Sequence, residues 1–164
     1  MRLVRSQTPE AAALLSRVWS KDVSRLGVGR ITYGCWCDDD GKVIDDGTLT
    51  RVDEDLYRMT SADPSLAWLE RNARGFDVAI EDQSHALAAL ALQGPNSCAV
   101  LSAACGENLA GLRFFCHRRA RIGGAAVELT RTGYTGDLGY EIWVPNAGAL
   151  AVYDALCAAG RPLG

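Results

Sequence analysis

Apolar residues stand at positions 11, 14, 15, 18 and 19, the i, i+3, i+4, i+7, i+8 spacing that lines one face of an α-helix. Thr8 suits the N-cap of that helix, and Pro9 its first position, where a missing N–H costs nothing. Residues 2–5 before it read as a short strand. Beyond the glycine-containing loop 27–30 the pattern changes to runs rich in β-branched and aromatic residues. Segments 31–37 and 42–51, joined by the polar turn Asp38-Asp39-Asp40-Gly41, predict a hairpin. Residues 56–59 predict a further strand, and 64–74 a helix carrying Leu66, Trp68 and Leu69.

The second half follows the same plan. Residues 76–80 and 86–93 read as strands, and Gly94-Pro95 breaks the second of them and opens a helix reaching about residue 104. Strands follow at 113–121, 125–131 and 138–144, then a helix over 146–159. Asn146 suits its N-cap, and Val152, Ala155, Leu156 and Ala159 share a core-facing side. Each half therefore runs strands, helix, strands, helix. That order predicts an α+β fold of two related units, although the sequence carries no alignable repeat.

Composition narrows the function classes. With 164 residues, 48% hydrophobic and 23% charged, the chain is long enough for a well-buried core. A net charge of -3 argues against a nucleic-acid surface. No run approaches the ~18 apolar residues of a membrane helix, and Met1 to Arg5 is not followed by a secretory core, so a cytoplasmic protein is expected. Of the six cysteines, Cys35 and Cys37 share one face of a strand while the others are scattered. With His85 and His117 they complete no ligand set, so buried thiols acting as small hydrophobes are expected and no metal site is.

Segment 130–145, TRTGYTGDLGYEIWVP, carries the densest chemistry. A strand ending near Arg131 gives way to a glycine turn holding Tyr134, and strand composition resumes at Tyr140-Glu141. On spacing alone it is either a hairpin with incidental aromatics or a turn that lets phenol, backbone and carboxylate meet a flat ligand. Asp45-Asp46 likewise reads either as two surface acids at a strand end or as one site carboxylate with a partner. Neighbouring strand residues point to opposite faces, so the two acids cannot do the same job.

Segment 130–145, with GKVIDDGTLT at 41–50 and ALQGPNS at 91–97, resembles in order and spacing the folate-binding aminomethyltransferase family, the T-protein of the glycine cleavage system and its relatives. The resemblance implies that residues 1–164 form a folate-binding, aminomethyltransferase-like domain, a central fragment with further segments on both sides and little activity alone. It implies transfer of a one-carbon unit from an aminomethyl donor to tetrahydrofolate, with a lipoyl carrier of the H-protein type as a partner. Asp46 matches the catalytic aspartate; a fixed carboxylate suits the positive charge that develops on an iminium-like carbon and nitrogen. Tyr33 and Tyr134 match tyrosines of the folate site, and Glu141 the acid that pairs with the pterin. These four are expected on one cavity. Arg131 is either structural or faces the folate tail. Gln93-Gly94-Pro95 is read as a strand-to-helix joint rather than as chemistry.

Departures from the pattern keep the donor open. Lys42 and Gly47 replace a glycine and a large aliphatic residue usual in the transferases, and Thr60-Ser61 stands where an asparagine is common. Gly47, with Tyr57-Arg58-Met59-Thr60-Ser61, looks more like the folate domains of sarcosine and dimethylglycine oxidising or demethylating enzymes. A non-catalytic folate-binding member is the third alternative, against which the presence of Asp46 argues.

Overall fold

The computed structural model describes residues 2–5, 10–62 and 65–163. Thr8, Pro9 and Pro64, to which the sequence assigns helix starts, lie outside them. The chain divides into two compact units, Met1–Ser84 and His85–Gly164.

In the first unit the elements are β1 (Arg2–Arg5), α1 (Glu10–Val18), β2 (Ile31–Cys37), β3 (Val43–Asp53), β4 (Leu56–Ser61), α2 (Leu66–Asn72) and β5 (Ala79–Asp82). The strands form one antiparallel sheet in the order β2-β3-β4-β1-β5. Alternation along the strands sends Trp36, Leu49, Tyr57 and Met59 to the face covered by Ala11, Leu14, Leu15 and Val18 of α1 and Leu69 of α2. Each such fully buried aliphatic side chain contributes about 1.5–3 kcal/mol. Trp19 lies just past the end of α1, where it bridges to Trp36 with ring centroids 5.2 Å apart.

The second unit contains β6 (Leu87–Gln93), α3 (Ser97–Cys105), β7 (His117–Ile122), β8 (Ala125–Thr130), β9 (Gly139–Pro145) and α4 (Ala149–Gly160). Its sheet order is β6-β9-β8-β7, again antiparallel. Leu101 of α3 and Val152 and Leu156 of α4 cover Val127, Leu129, Tyr140, Ile142 and Val144.

The two units share one topology. In each, a strand is followed by a helix, a three-stranded meander and a second helix, and the first strand pairs antiparallel with the last strand of the meander. β5, on the outer edge of β1, is an addition to the first unit. The relatedness read from element order is thus real in topology.

Three local expectations need correction. Asn146 does not cap α4: residues Asn146–Gly148 form a 3-10 turn, and the Asn146 side-chain amide donates to the His85 carbonyl at 2.7 Å. The strand expected from 113 begins only at His117, because the chain turns at Phe115, whose φ is 56°. The strand expected at 76–80 is β5, shifted to Ala79–Asp82; Phe76 and Val78 pack against the first core without joining the ladder.

Candidate functional site

In the first unit, pairing of β2 with β3 sets Tyr33 opposite Thr48 and Cys35 opposite Asp46. Cross-strand partners share a face, and this one is turned away from the helices. The Tyr33 hydroxyl donates to Asp46 Oδ2. Tyr33 is 42% exposed and Asp46 is exposed, so both groups stay accessible to a ligand. Asp45, across from Trp36 on the opposite face, turns its carboxylate back to accept the Asp46 backbone N–H at 2.8 Å. One acid is therefore presented and its neighbour fixes the strand, the division that alternation demands.

The polar row continues across the sheet. Thr48 and Thr60 face each other on β3 and β4 with hydroxyl oxygens 2.5 Å apart. Gly47 has a steric cause: a Cβ there would lie 1.8 Å from the Thr60 carbonyl oxygen, so the β3–β4 approach excludes any side chain.

In the second unit β9 alternates Tyr140, Ile142 and Val144 into the core and Glu141 and Trp143 onto the other face. Glu141 pairs with Thr130 and is half-buried. Its Oε2 accepts from the Thr132 hydroxyl at 2.5 Å and lies 3.4 Å from that of Thr130. The Thr130 and Thr132 hydroxyls are 2.8 Å apart, and the Trp143 indole N–H donates to Thr130 at 3.2 Å. Each hydroxyl has one proton, so the consistent order runs from Trp143 to Thr130 to Thr132 to the carboxylate. Oε2 is satisfied, while Oε1 has no hydrogen-bond partner among the described residues. On the same face the His117 imidazole and Glu128 carboxylate are 2.9 Å apart.

Tyr134 stands on the loop between β8 and β9 and is 97% exposed. Arg131 is held structurally: its guanidinium donates to the Leu112 carbonyl at 2.8 Å, and its backbone N–H and C=O bond Cys116 and Phe115. Burial on the core side of β9 pushes the Tyr140 phenol up to about 12, so it stays neutral.

The structure thus brings Tyr33 and Asp46 together in the first unit, and places Glu141, Tyr134 and Arg131 in the second, Arg131 on a structural bond. Thr130, Thr132 and Trp143 went unrecognised in the sequence. Their signal was available: Thr-x-Thr at a strand end puts two hydroxyls on one face. None of the six cysteines, all among the described residues, forms a disulfide; five are half-buried and Cys157 is exposed, so they are less buried than expected.

Residues 1–164 match the family model described as the GCVT N-terminal domain, and the chain belongs to that family. It is 35% identical over 160 residues to an aminomethyltransferase of Streptomyces avermitilis. It is 36% identical over 156 residues to the sesamin methylene transferase of a Sinomonas species. Both alignments cover 95% of this chain but only 43% and 34% of the relatives, so the chain spans less than half of their length. Among solved structures, the glycine cleavage system aminomethyltransferase T from Bartonella henselae matches with a TM-score of 0.83 at 30% identity, over 94% of this chain and 42% of that one. The heterotetrameric sarcosine oxidase from Corynebacterium sp. U-96 matches with 0.72 at 19% identity, over 98% and 79% respectively, a likeness of fold alone. The α+β architecture is that of the glycine cleavage T-protein.

Proposed function

We propose that the full-length protein is a one-carbon transferase that places a formaldehyde-level carbon on tetrahydrofolate, with an aminomethyl group on a lipoyl carrier as donor. The observation that carries this reading is the exposed Asp46 carboxylate held by the Tyr33 hydroxyl. A pre-oriented anion stabilises the iminium-like charge of the transferring carbon, and its second oxygen can orient or accept a proton. Glu141 supports ring recognition: with Oε2 occupied by Thr132, Oε1 is left for the N–H groups of a pterin. Tyr134 offers an aromatic face and a hydroxyl. The similarity to aminomethyltransferases agrees with these roles. None of the described helices is long and apolar enough to cross a membrane.

A second reading keeps the acceptor and changes the donor to an N-, S- or O-linked carbon of a small molecule. The similarity to a sesamin methylene transferase favours it. Donor screening with tetrahydrofolate as acceptor separates the two. Variants test the site itself. Asp46→Asn keeps the shape and removes the anion, so turnover falls by roughly 10²-fold with folate affinity nearly unchanged. Glu141→Gln weakens folate binding about tenfold and spares the chemical step. Equal losses of affinity in both variants would refute the division of roles.

A further inference from the structure

We infer that Gln93 is a positioning residue whose amide clamps the Tyr134 loop and so sets where that phenol meets its ligand, an inference that rests on the folate reading of Tyr134. Gln93 ends β6 opposite Gly139, on the sheet face that also carries Glu141. Its Nε2 donates to the carbonyls of Tyr140, at 3.2 Å, and Thr132, at 3.5 Å, while its Oε1 accepts from the Thr135 hydroxyl at 3.2 Å. Chemistry fixes this orientation, since the flipped amide would set its oxygen against two carbonyls. One side chain thus ties down the loop before Tyr134, directly after it, and where the chain re-enters β9.

The glycines of the loop record the same arrangement. A Cβ on Gly133 would lie 2.1 Å from Gln93 Oε1, and one on Gly139 only 1.7 Å from it. Neither glycine has positive φ. A side chain at either position would displace the Gln93 amide, so these glycines leave that amide its space rather than serve a left-handed backbone. The start of α3 adds a second tie: the Gly94 N–H and the buried Ser97 hydroxyl both bond the Leu138 carbonyl, at 2.8 and 3.2 Å. The strand-to-helix joint at 93–97 is therefore also the seat of the loop.

Tyr134 depends on that seat. Its side chain is 97% exposed and makes no hydrogen bond among the described residues, so its position is inherited from the backbone on either side. An unclamped loop would present the phenol in many positions, and binding would have to select among them.

The test uses the full-length protein with fluorotyrosine at position 134, followed by fluorine NMR, together with tetrahydrofolate KM and kcat. Gln93→Leu keeps the bulk and removes both hydrogen-bonding functions; Thr135→Val removes one anchor from the loop side. In both, the Tyr134 fluorine line is expected to narrow as the loop gains fast motion, with KM raised about tenfold in Gln93→Leu and kcat retained. Gln93→Ala combined with Gly133→Ala refills the vacated space, and is expected to recover thermal stability relative to Gln93→Ala but not KM. An unchanged Tyr134 linewidth in Gln93→Leu overturns the clamp, and full recovery of KM in the double variant reduces Gln93 to a space filler. If the wild-type protein fails to bind tetrahydrofolate, the functional reading falls, while the fluorine signal still decides whether Gln93 holds the loop.

Discussion

Replacing Thr132 by valine isolates the hydroxyl that supports Glu141. The side chain is 6% exposed, so water does not take the hydroxyl's place, and the 2.5 Å bond to Oε2 is lost. Hydrogen bonds to charged groups contribute about 1.5–3 kcal/mol, and the added methyl returns about 0.8 kcal/mol by burial, leaving a net loss of about 1–2 kcal/mol. For a chain of this size each kcal/mol moves the melting temperature by about 2–4 °C. Thermal or urea unfolding followed by circular dichroism reads the loss directly, with Thr132→Ser as a control that keeps the hydroxyl. Folate affinity should fall as well, by about fivefold, because the carboxylate loses the bond that orients it. If Thr132→Val unfolds with the wild type and binds folate as well, the Trp143–Thr130–Thr132 relay does not position Glu141, and the account of that carboxylate is wrong.

Two other perturbations probe the frame around the site. Gly47→Leu drives a side chain into the Thr60 carbonyl, a backbone atom that cannot step aside, and should cost at least about 2 kcal/mol in urea unfolding; wild-type stability would show that β3 and β4 have room to part. Burial raises the folded-state pKa of Tyr140 from 10.0 to about 12, so the folded chain holds a proton the unfolded chain releases. Its contribution to stability is complete below pH 10 and is lost as pH rises toward 12. Tyr140→Phe should flatten that part of the stability curve while leaving the loss due to Cys105, raised by burial from 9.0 to about 11. An alkaline profile identical to wild type would rule Tyr140 out as its source.

The sequence was most readable where one physical rule dominated. The helical spacing of Ala11, Leu14, Leu15 and Val18 marked the buried face of α1, and alternation alone separated Asp45 from Asp46. It was least readable where a side chain serves a distant backbone. Gln93 reads as the polar end of an apolar strand because its partners at Thr132, Thr135 and Tyr140 lie about 40 residues on, and no local pattern encodes that pairing. Arg-Phe-Phe-Cys at 113–116 has strand composition, yet the turn at Phe115 delays β7 to His117, a tertiary choice overriding propensity. Arg131 was left open between structure and ligand; the Leu112 carbonyl takes one of its five guanidinium N–H groups.

Shared topology makes the corners of the two meanders comparable. Between β3 and β4 the chain turns with only Glu54 and Asp55, whereas the corresponding connection between β8 and β9 runs from Arg131 to Leu138 and carries Tyr134. At the preceding corner the inequality reverses, with residues 38–42 joining β2 to β3 and only Gly123 and Gly124 joining β7 to β8. Each unit thus has one long and one short connection, at opposite corners of its meander. A doubled scaffold permits this division of labour, because elaborating one loop leaves the other copy's ladder intact. For an engineer, the two short corners are the natural sites for grafted loops: they correspond to positions where the sister unit already tolerates insertion.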